Sequence, residues 1–279
     1  MTWTKFYFQR MKLTIAIALA LVGFTNTSTT LAQAQLAKTV ASSRVSFVPP
    51  PLPADQEAPT GRARGGASRG SCKNSQDNKR LTALVPVTSK SVWGLTTTNY
   101  PTLWYYVPDA LTPNLPIEFV LQDEKDNYVY KTTLMTPGTP SGIVSVPLSS
   151  MTAPLEIGKK YHWTVSMYCD PQEPSNSVFV KGTVQRVAVD PALNNQLQTA
   201  TLRDRVALYA ANGIWHDALT TLAELRRTYP QNATLAATWE NLLQSADLQD
   251  IAKEPIVQCC TAGERKIARD EDLSKPIAY

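Results

Sequence analysis

The stretch Lys159–Cys169, KKYHWTVSMYC, decides the fold that this sequence predicts. Large apolar side chains recur in it at every second position, and that period is typical of a β-strand with one buried face. The apolar positions are Tyr161, Trp163, Val165 and Met167, and the positions between them are His162, Thr164, Ser166 and Tyr168. The sequence therefore predicts a strand with a core face and a wetter face.

The residues just before this strand indicate how the chain enters it. The spacing Leu155-x-x-Gly158-x-x-Tyr161 is similar to a tyrosine corner, in which a Tyr hydroxyl hydrogen-bonds to backbone a few residues upstream. Tyrosine corners are a feature of antiparallel sandwiches, so the spacing favours that class of fold.

Other short apolar runs lie on both sides of this strand, and Pro, Gly, Asn and Asp separate them. The candidate strands are Leu81–Val85, Val92–Thr96, Thr102–Val107, Ile117–Gln122, Tyr128–Leu134, Ile143–Val146 and Val178–Val187. Strands this short with turn residues between them are typical of an antiparallel sandwich. We predict an α+β protein in which residues 71–189 form an antiparallel β-sandwich of the immunoglobulin or fibronectin type.

A helical period replaces the strand period after residue 189. Asp190 can cap a helix whose first position is Pro191. The hairpin YAANGIWHDALTTLAELRRTYPQN is similar to one tetratricopeptide repeat, through Gly213, Trp215, Ala218, Leu222 and Pro230. One further helix is predicted after Asn232, which can cap it. A single repeat cannot bury a continuous core, so we expect residues 190–260 to form a helical unit packed on the sandwich.

The first 34 residues predict a signal peptide. Lys5, Arg10 and Lys12 precede the apolar run Leu13–Phe24, and Ala32-Gln33-Ala34 offers a cleavage site. The alternative is an uncleaved anchor, but the apolar run is short of the roughly 20 residues that span a bilayer as a helix. We expect a secreted or periplasmic protein with no transmembrane span after the signal peptide is removed.

Two further segments lack the pattern of a core. Residues 35–70 are rich in Pro, Gly and Arg and are predicted to be a linker, and residues 261–279 are predicted to be a disordered tail. The formal net charge is +4, and three of these charges fall within the first 34 residues. The near-neutral remainder gives no long-range electrostatic reason to bind nucleic acid.

Four cysteines in a chain with an export signal suggest disulfide bonds. We favour a bond between Cys72 and Cys169, because these residues flank the strand-rich block. The adjacent Cys259 and Cys260 could bridge to each other, pair with a partner or stay free.

Arginine alternates with glycine in GRARGGASRGSC, at Arg62, Arg64 and Arg69. One interpretation is a flexible basic tether, because Gly and Arg cannot build a core. The other is a binding loop, in which glycines let backbone amides approach an anion or a partner.

Catalytic and metal-binding patterns are not apparent in the sequence. His162 and His216 lack ligand spacing, no Cys-x-x-Cys occurs, and Asp123, Glu124 and Asp126 share one turn without an EF-hand pattern. We therefore predict no cofactor, no metal and no catalytic residue. A hydrolase of envelope polysaccharide that uses Asp123, Glu124 or His162 is the least favoured alternative.

Aromatic residues are concentrated in the strand block. Trp104 and Tyr106 fall on one face of their strand, opposite to Tyr105. The favoured interpretation is that the helical unit covers these rings. The alternative is a solvent-facing platform that binds carbohydrate or peptide.

Several segments together resemble the cyanobacterial domain of unknown function 928 family. They are GASRGSC (66–72), LTALVP (81–86), WGLTTTNYPTLWYYVP (93–108), GKKYHWTVSMYCD (158–170), VKGTVQRV (180–187), LYAANGIWHDALTTLAELRRTYP (208–230) and Cys259-Cys260. The resemblance implies an exported protein and supplies no reaction or ligand. Combined with the residues above, it favours a non-catalytic interaction or adaptor module of the cell envelope that binds a protein partner.

Overall fold

The computed structural model describes most of the chain after residue 44. The described residues are 45–51, 61–67, 79–112, 117–134, 138–148, 152–169, 172 and 176–259, without the side chains of residues 66 and 67. The predicted signal peptide and the predicted C-terminal tail lie outside these ranges, as do Arg69, Cys72 and Cys260.

The strands of the described residues form one large, mainly antiparallel sheet. Its hydrogen-bonded path runs β7-β6-β9-β10-β1-β2-β5-β8, while β4 pairs with β10 and β3 pairs with β4. The strands are β1 Arg62–Ala67, β2 Thr82–Ala83, β3 Val87–Thr88, β4 Ser91–Thr96, β5 Thr102–Val107, β6 Ile117–Gln122, β7 Tyr128–Leu134, β8 Gly142–Pro147, β9 Lys160–Tyr168 and β10 Ser177–Arg186.

The sheet curls into a half-barrel, so that its two ends share one inner core. Residues from β5 and β8 join residues from β6 and β9 in a single buried apolar cluster. An immunoglobulin-like pair of separate sheets is not confirmed, because β1 connects the two halves through backbone pairing with both β10 and β2. The parallel pairing of β10 with β4 is a further difference from a purely antiparallel sandwich.

The alternation predicted for β9 is confirmed. The side chain of Trp163 is fully buried in the inner core, and its apolar neighbours at every second position are buried with it. The corner is also present, because the Glu156 N–H donates to the Tyr161 hydroxyl oxygen at 3.0 Å. β9 lies between β6 and β10, so the stretch that decides the predicted fold is central in the observed sheet.

Four helices follow the sheet within residues 190–259. They are α1 Pro191–Thr199, α2 Leu202–Ala211, α3 Trp215–Thr228 and α4 Ala233–Gln244, and a 3₁₀ turn over Gln249–Ile251 comes next. The predicted caps are confirmed: the Asp190 carboxylate accepts from the Ala192 N–H at 2.8 Å, and the Asn232 side chain accepts from the Leu235 N–H at 3.1 Å.

Gly213 separates α2 from α3 with a φ of +73°, a left-handed value that favours glycine. No helix in the described ranges has both the length and the apolar character needed to cross a bilayer.

The helices pack on the outer face of β5. Leu103, Tyr105 and Val107 of this strand point into the inner core. Trp104 and Tyr106 point the other way, into a second buried cluster that α2, α3 and α4 complete. A strand covered on both faces has no wet side, which explains the unbroken apolar run LWYYV.

Part of the predicted linker is ordered structure. Residues 62–67 form β1, and the Gly65 N–H donates to the Leu81 carbonyl oxygen at 2.6 Å. A Cβ atom on Gly65 would lie 2.4 Å from a methyl carbon of Val178. Glycine is needed here for close strand approach rather than for flexibility, so the tether interpretation is wrong for this strand.

Candidate functional site

The N-terminus of α3 fixes the helical unit to the sheet. Trp215, the first residue of α3, is fully buried and its indole N–H donates to the Leu84 carbonyl oxygen at 2.7 Å. One strand away, the Trp104 indole N–H donates to the Thr220 hydroxyl oxygen at 3.0 Å. These directional contacts set the position of α3 on β5, since a hydrogen bond from a buried indole N–H has a defined geometry.

A carboxylate in the first turn of α3 holds the loop that follows β4. Asp217 accepts from the Thr96 hydroxyl at 2.7 Å, from the Thr97 N–H at 3.2 Å and from the Thr97 hydroxyl. Burial raises the pKa of Asp217, and the threonine hydrogen bonds act in the opposite direction. The carboxylate is therefore occupied with fixing the backbone of this loop.

His216 precedes Asp217 in the first turn of α3 and is 1% exposed. Its imidazole is buried against Gly94, where an added Cβ would lie 2.7 Å from the ring Nε2. Burial lowers the pKa of His216 to about 3. The ring is therefore neutral at neutral pH, and its burial gives it no access to a solvent-borne substrate.

A groove on the helical unit holds an extended piece of the chain. The groove, as the term is used from here, is lined by Ala210, Gly213, Trp215 and Ser245. It receives residues 45–51, VSFVPPP, which are in neither a helix nor a strand. The Phe47 ring packs edge-on against the Trp215 ring with 5.0 Å between centroids, and the Val48 N–H donates to the Ala210 carbonyl oxygen at 3.0 Å.

Comparison with protein-family models matches residues 64–256 to a family described as Domain of Unknown Function (DUF928). This chain belongs to the DUF928 family. Comparisons with curated proteins and with solved structures found no match. The DUF928 match includes all four groove residues and begins after the segment 45–51 that the groove holds.

The structure corrects the platform interpretation of Trp104 and Tyr106 in this DUF928 chain. Trp104 is 0% exposed and Tyr106 is 3% exposed, because α3 and its neighbours cover them. The Arg227 guanidinium lies 4.7 Å from the centroid of the Trp104 ring and donates to the Ser145 hydroxyl at 3.1 Å, which closes the remaining side. Neither ring offers a surface to carbohydrate or peptide.

The arginines of β1 have partners within the fold. Arg64 donates to both carboxylate oxygens of Asp250, at 2.6 and 2.8 Å, and these hydrogen bonds lower the pKa of Asp250. Arg62 lies over the Phe179 ring at 4.6 Å. Arg64 thus connects the sheet to the turn after α4, and its guanidinium is occupied by Asp250 instead of being open to an anionic ligand. Arg69 lies outside the described residues.

The described residues include two of the four cysteines. Neither Cys169 nor Cys259 is a free thiol. Cys72 and Cys260 lie outside the described residues, so the bond between Cys72 and Cys169 stays a prediction.

The acidic turn between β6 and β7 is a structural turn. Asp123 accepts from the backbone N–H groups of Lys125 and Asn127 and from the Asn127 side chain, and these hydrogen bonds lower the pKa of Asp123. Glu124 accepts from the Lys160 N–H at 3.1 Å. Within the described residues, no group of three His, Cys, Asp or Glu side chains is placed to hold a metal ion.

Sequence reasoning missed the groove and its occupant. Val45 and Phe47 lie in a proline-rich stretch that we interpreted as linker, yet both are buried in the helical core. The alternation Val-x-Phe just before the prolines was the available signal, because period two indicates an extended segment with one buried side.

Proposed function

We propose that this DUF928 chain is an exported, non-catalytic adaptor of the cell envelope that holds a protein partner at the groove of its helical unit. The observation that carries the proposal is the segment 45–51 seated in that groove. The groove binds this segment through buried side chains and through backbone hydrogen bonds, which are the two means by which adaptor domains hold extended peptides.

The pairing of α2 with α3 supports the same function. We propose that these helices form a tetratricopeptide-like hairpin, in which Gly213 makes the turn and Trp215 provides the floor of the groove. Its usual need for neighbouring repeats would be met by the sheet, because β5 covers the apolar side of α3.

The polar groups of the helix–sheet joint support an architectural role over a catalytic one. His216 is buried and neutral, and Asp217 is occupied by Thr96 and Thr97. The sequence argument for export, with the predicted cleavage after Ala34, belongs to the proposal and needs its own test.

Location is tested by fractionating cells and identifying the first residue of the mature protein by mass spectrometry. The expected result is an envelope or secreted protein that begins at Gln35. A protein that begins at Met1 and stays in the cytoplasm would remove the envelope part of the proposal.

Partner binding is tested by site-specific photo-crosslinking in intact envelopes. A photoreactive residue replaces exposed Gln244, next to Ser245, and a matched control replaces Ile157, which is 58% exposed in the turn before β9. We expect a reproducible protein adduct from position 244 that position 157 does not give. Equal adducts from both positions, or none, would count against an adaptor that uses the groove.

A further inference from the structure

The segment 45–51 lies in the groove as a peptide ligand would. Its side chains alternate, with Val45 and Phe47 buried while Ser46 and Val48 are exposed. An extended segment with every second side chain inserted is a recurrent form of peptide recognition. The two buried side chains act as anchors, and the exposed ones face solvent.

The groove supplies matched partners for the backbone as well as for the anchors. The Phe47 N–H donates to the Ser245 hydroxyl oxygen at 2.9 Å, and the next N–H, from Val48, donates to the Ala210 carbonyl oxygen at 3.0 Å. These contacts are uncharged. Recognition through them should depend little on ionic strength, unlike recognition between charged groups.

A proline further along the segment fits a specific feature of the groove. Pro50 packs against Gly213, where an added Cβ would lie 2.9 Å from the proline Cδ. Gly213 also has a left-handed φ, so glycine is favoured there for two separate reasons. The buried side chains and the packed proline of the segment therefore follow the pattern Val-x-Phe-x-x-Pro.

The occupant and the groove come from distant parts of the chain. Residues 45–51 belong to neither a helix nor a strand, and the described backbone hydrogen bonds that hold them are those of Phe47 and Val48. Such irregular segments are among the parts of a fold that open locally. The DUF928 match covers residues 64–256, and so includes the groove but not the segment.

We propose that the groove is a peptide-recognition site for an extended, uncharged Val-x-Phe-x-x-Pro segment of another envelope protein, and that residues 45–51 are an intramolecular competitor that fills it. The inference rests on the proposed function and specifies its partner. A tethered competitor acts at an effective concentration on the order of millimolar, so it weakens the apparent affinity for a partner segment.

The test measures binding of a fluorescein-labelled peptide SRVSFVPPP to the full chain by fluorescence anisotropy. The variant Phe47→Ala weakens the competitor and leaves every groove residue in place. Ser46→Ala is the matched control, because it alters an exposed side chain of the same segment. A peptide with Ala in place of Phe controls for nonspecific binding.

We expect Phe47→Ala to bind the peptide at least about tenfold more tightly than the wild-type chain and Ser46→Ala do. The Ala-substituted peptide should bind to none of the three. A cooperatively folded Phe47→Ala chain that binds the peptide no more tightly than the wild type would overturn the proposal.

Hydrogen exchange of the wild-type chain gives a second readout in case Phe47→Ala does not fold. The amides of Phe47 and Val48 should exchange at least about a hundredfold faster than those of Leu219 and Leu222 in α3, because the segment opens without global unfolding. Exchange of all four amides at one common rate would mean that the segment is an integral part of the core, and would overturn the proposal.

Two further outcomes separate this inference from the function on which it rests. In the first, Phe47→Ala binds the peptide but position 244 gives no crosslinked protein. The groove would then be a peptide-binding site, and the adaptor role would be removed. A wild-type dimer by light scattering that Phe47→Ala abolishes would identify a second copy as the occupant, and would overturn the assignment to another protein.

Discussion

The two faces of β5 lie against two cores that are closed by different kinds of contact. On the inner face, Tyr105 and Trp163 pack edge-to-face with 5.6 Å between ring centroids, and within the described residues neither the Tyr hydroxyl nor the indole N–H has a hydrogen-bond partner. On the outer face, the indole N–H groups of Trp104 and Trp215 both donate to acceptors across the joint between sheet and helices, while the indole N–H of Trp239 in the same cluster has no partner within the described residues.

This difference indicates what each core specifies. Apolar packing is strong but non-directional, so the inner core stabilises the curled sheet without selecting one alignment. Buried hydrogen bonds have defined geometry, and the outer contacts therefore determine where α3 sits on β5. The groove depends on that position, because Trp215 is both an anchor of α3 and part of the groove.

The largest effect should come from the inner core. Trp163→Ala is expected to destabilise the protein by about 3–5 kcal/mol, as for other buried aromatic residues. Urea unfolding measures the change, and Thr164→Ala on the wetter face of the same strand should stay within about 0.5 kcal/mol. A near-neutral Trp163→Ala would mean that the inner core contributes less than its burial indicates.

A smaller loss is expected at the polar joint of the outer face. Asp217→Ala leaves the Thr96 hydroxyl and the Thr97 N–H without their acceptor, and should cost about 2–3 kcal/mol by urea unfolding. Asp204→Ala is the matched control, because Asp204 also lies in the first turn of its helix but is exposed. Equal losses for both variants would show a helix-end charge effect instead of a specific joint.

The pH dependence of stability should report on His216. The pKa of His216 falls from 6.5 to about 3 on folding because of burial, so between these values the unfolded chain binds the proton and the folded chain does not. Stability is therefore lost as pH falls through this window, by up to about 1.4 kcal/mol per pH unit.

The comparison uses wild type and His216→Leu at each pH from 4 to 7, since the raised pKa of neighbouring Asp217 contributes with the opposite sign in both chains. The stability of the wild type relative to that of His216→Leu should rise as pH increases from 4 and should level off above about pH 6.5. A difference independent of pH would show that His216 is not buried in the neutral form.

The smallest effect is expected at the surface bridge between sheet and helices. Arg64 and Asp250 are 41% and 48% exposed, and exposed pairs contribute about 0–1 kcal/mol. A double-mutant cycle of Arg64→Ala and Asp250→Ala should give a coupling energy within that range, decreasing with added salt. A coupling energy well above about 1 kcal/mol that does not change with salt would show that this ion pair stabilises the joint between sheet and helices as strongly as Asp217 does.

Short-range sequence patterns predicted the local features of the fold. The alternation in β9, the tyrosine corner at Tyr161, the caps at Asp190 and Asn232 and the turn at Gly213 all follow from short-range rules, and the structure confirms them. The covering of Trp104 by helices followed from the need of the hairpin to bury its apolar side.

The parts that sequence did not predict depend on partners far away along the chain. β1 was interpreted as linker because Gly65 and its arginines look flexible, whereas the close approach of Val178 is what requires glycine there. The groove was missed for the same reason, since Phe47 meets Ser245 only after folding. Long-range pairings leave little trace in a local pattern.

The position of β1 between β10 and β2 has a consequence for the order of assembly during synthesis. β1 leaves the ribosome early, and it can align with β2 once residue 83 has emerged. Its other neighbour, β10, pairs with it as far as Lys181, so the half of the sheet that contains β9 cannot join β1 until residue 181 has been translated. In a nascent chain that does not yet include β10, one edge of β1 has no partner strand. The half-barrel therefore closes late.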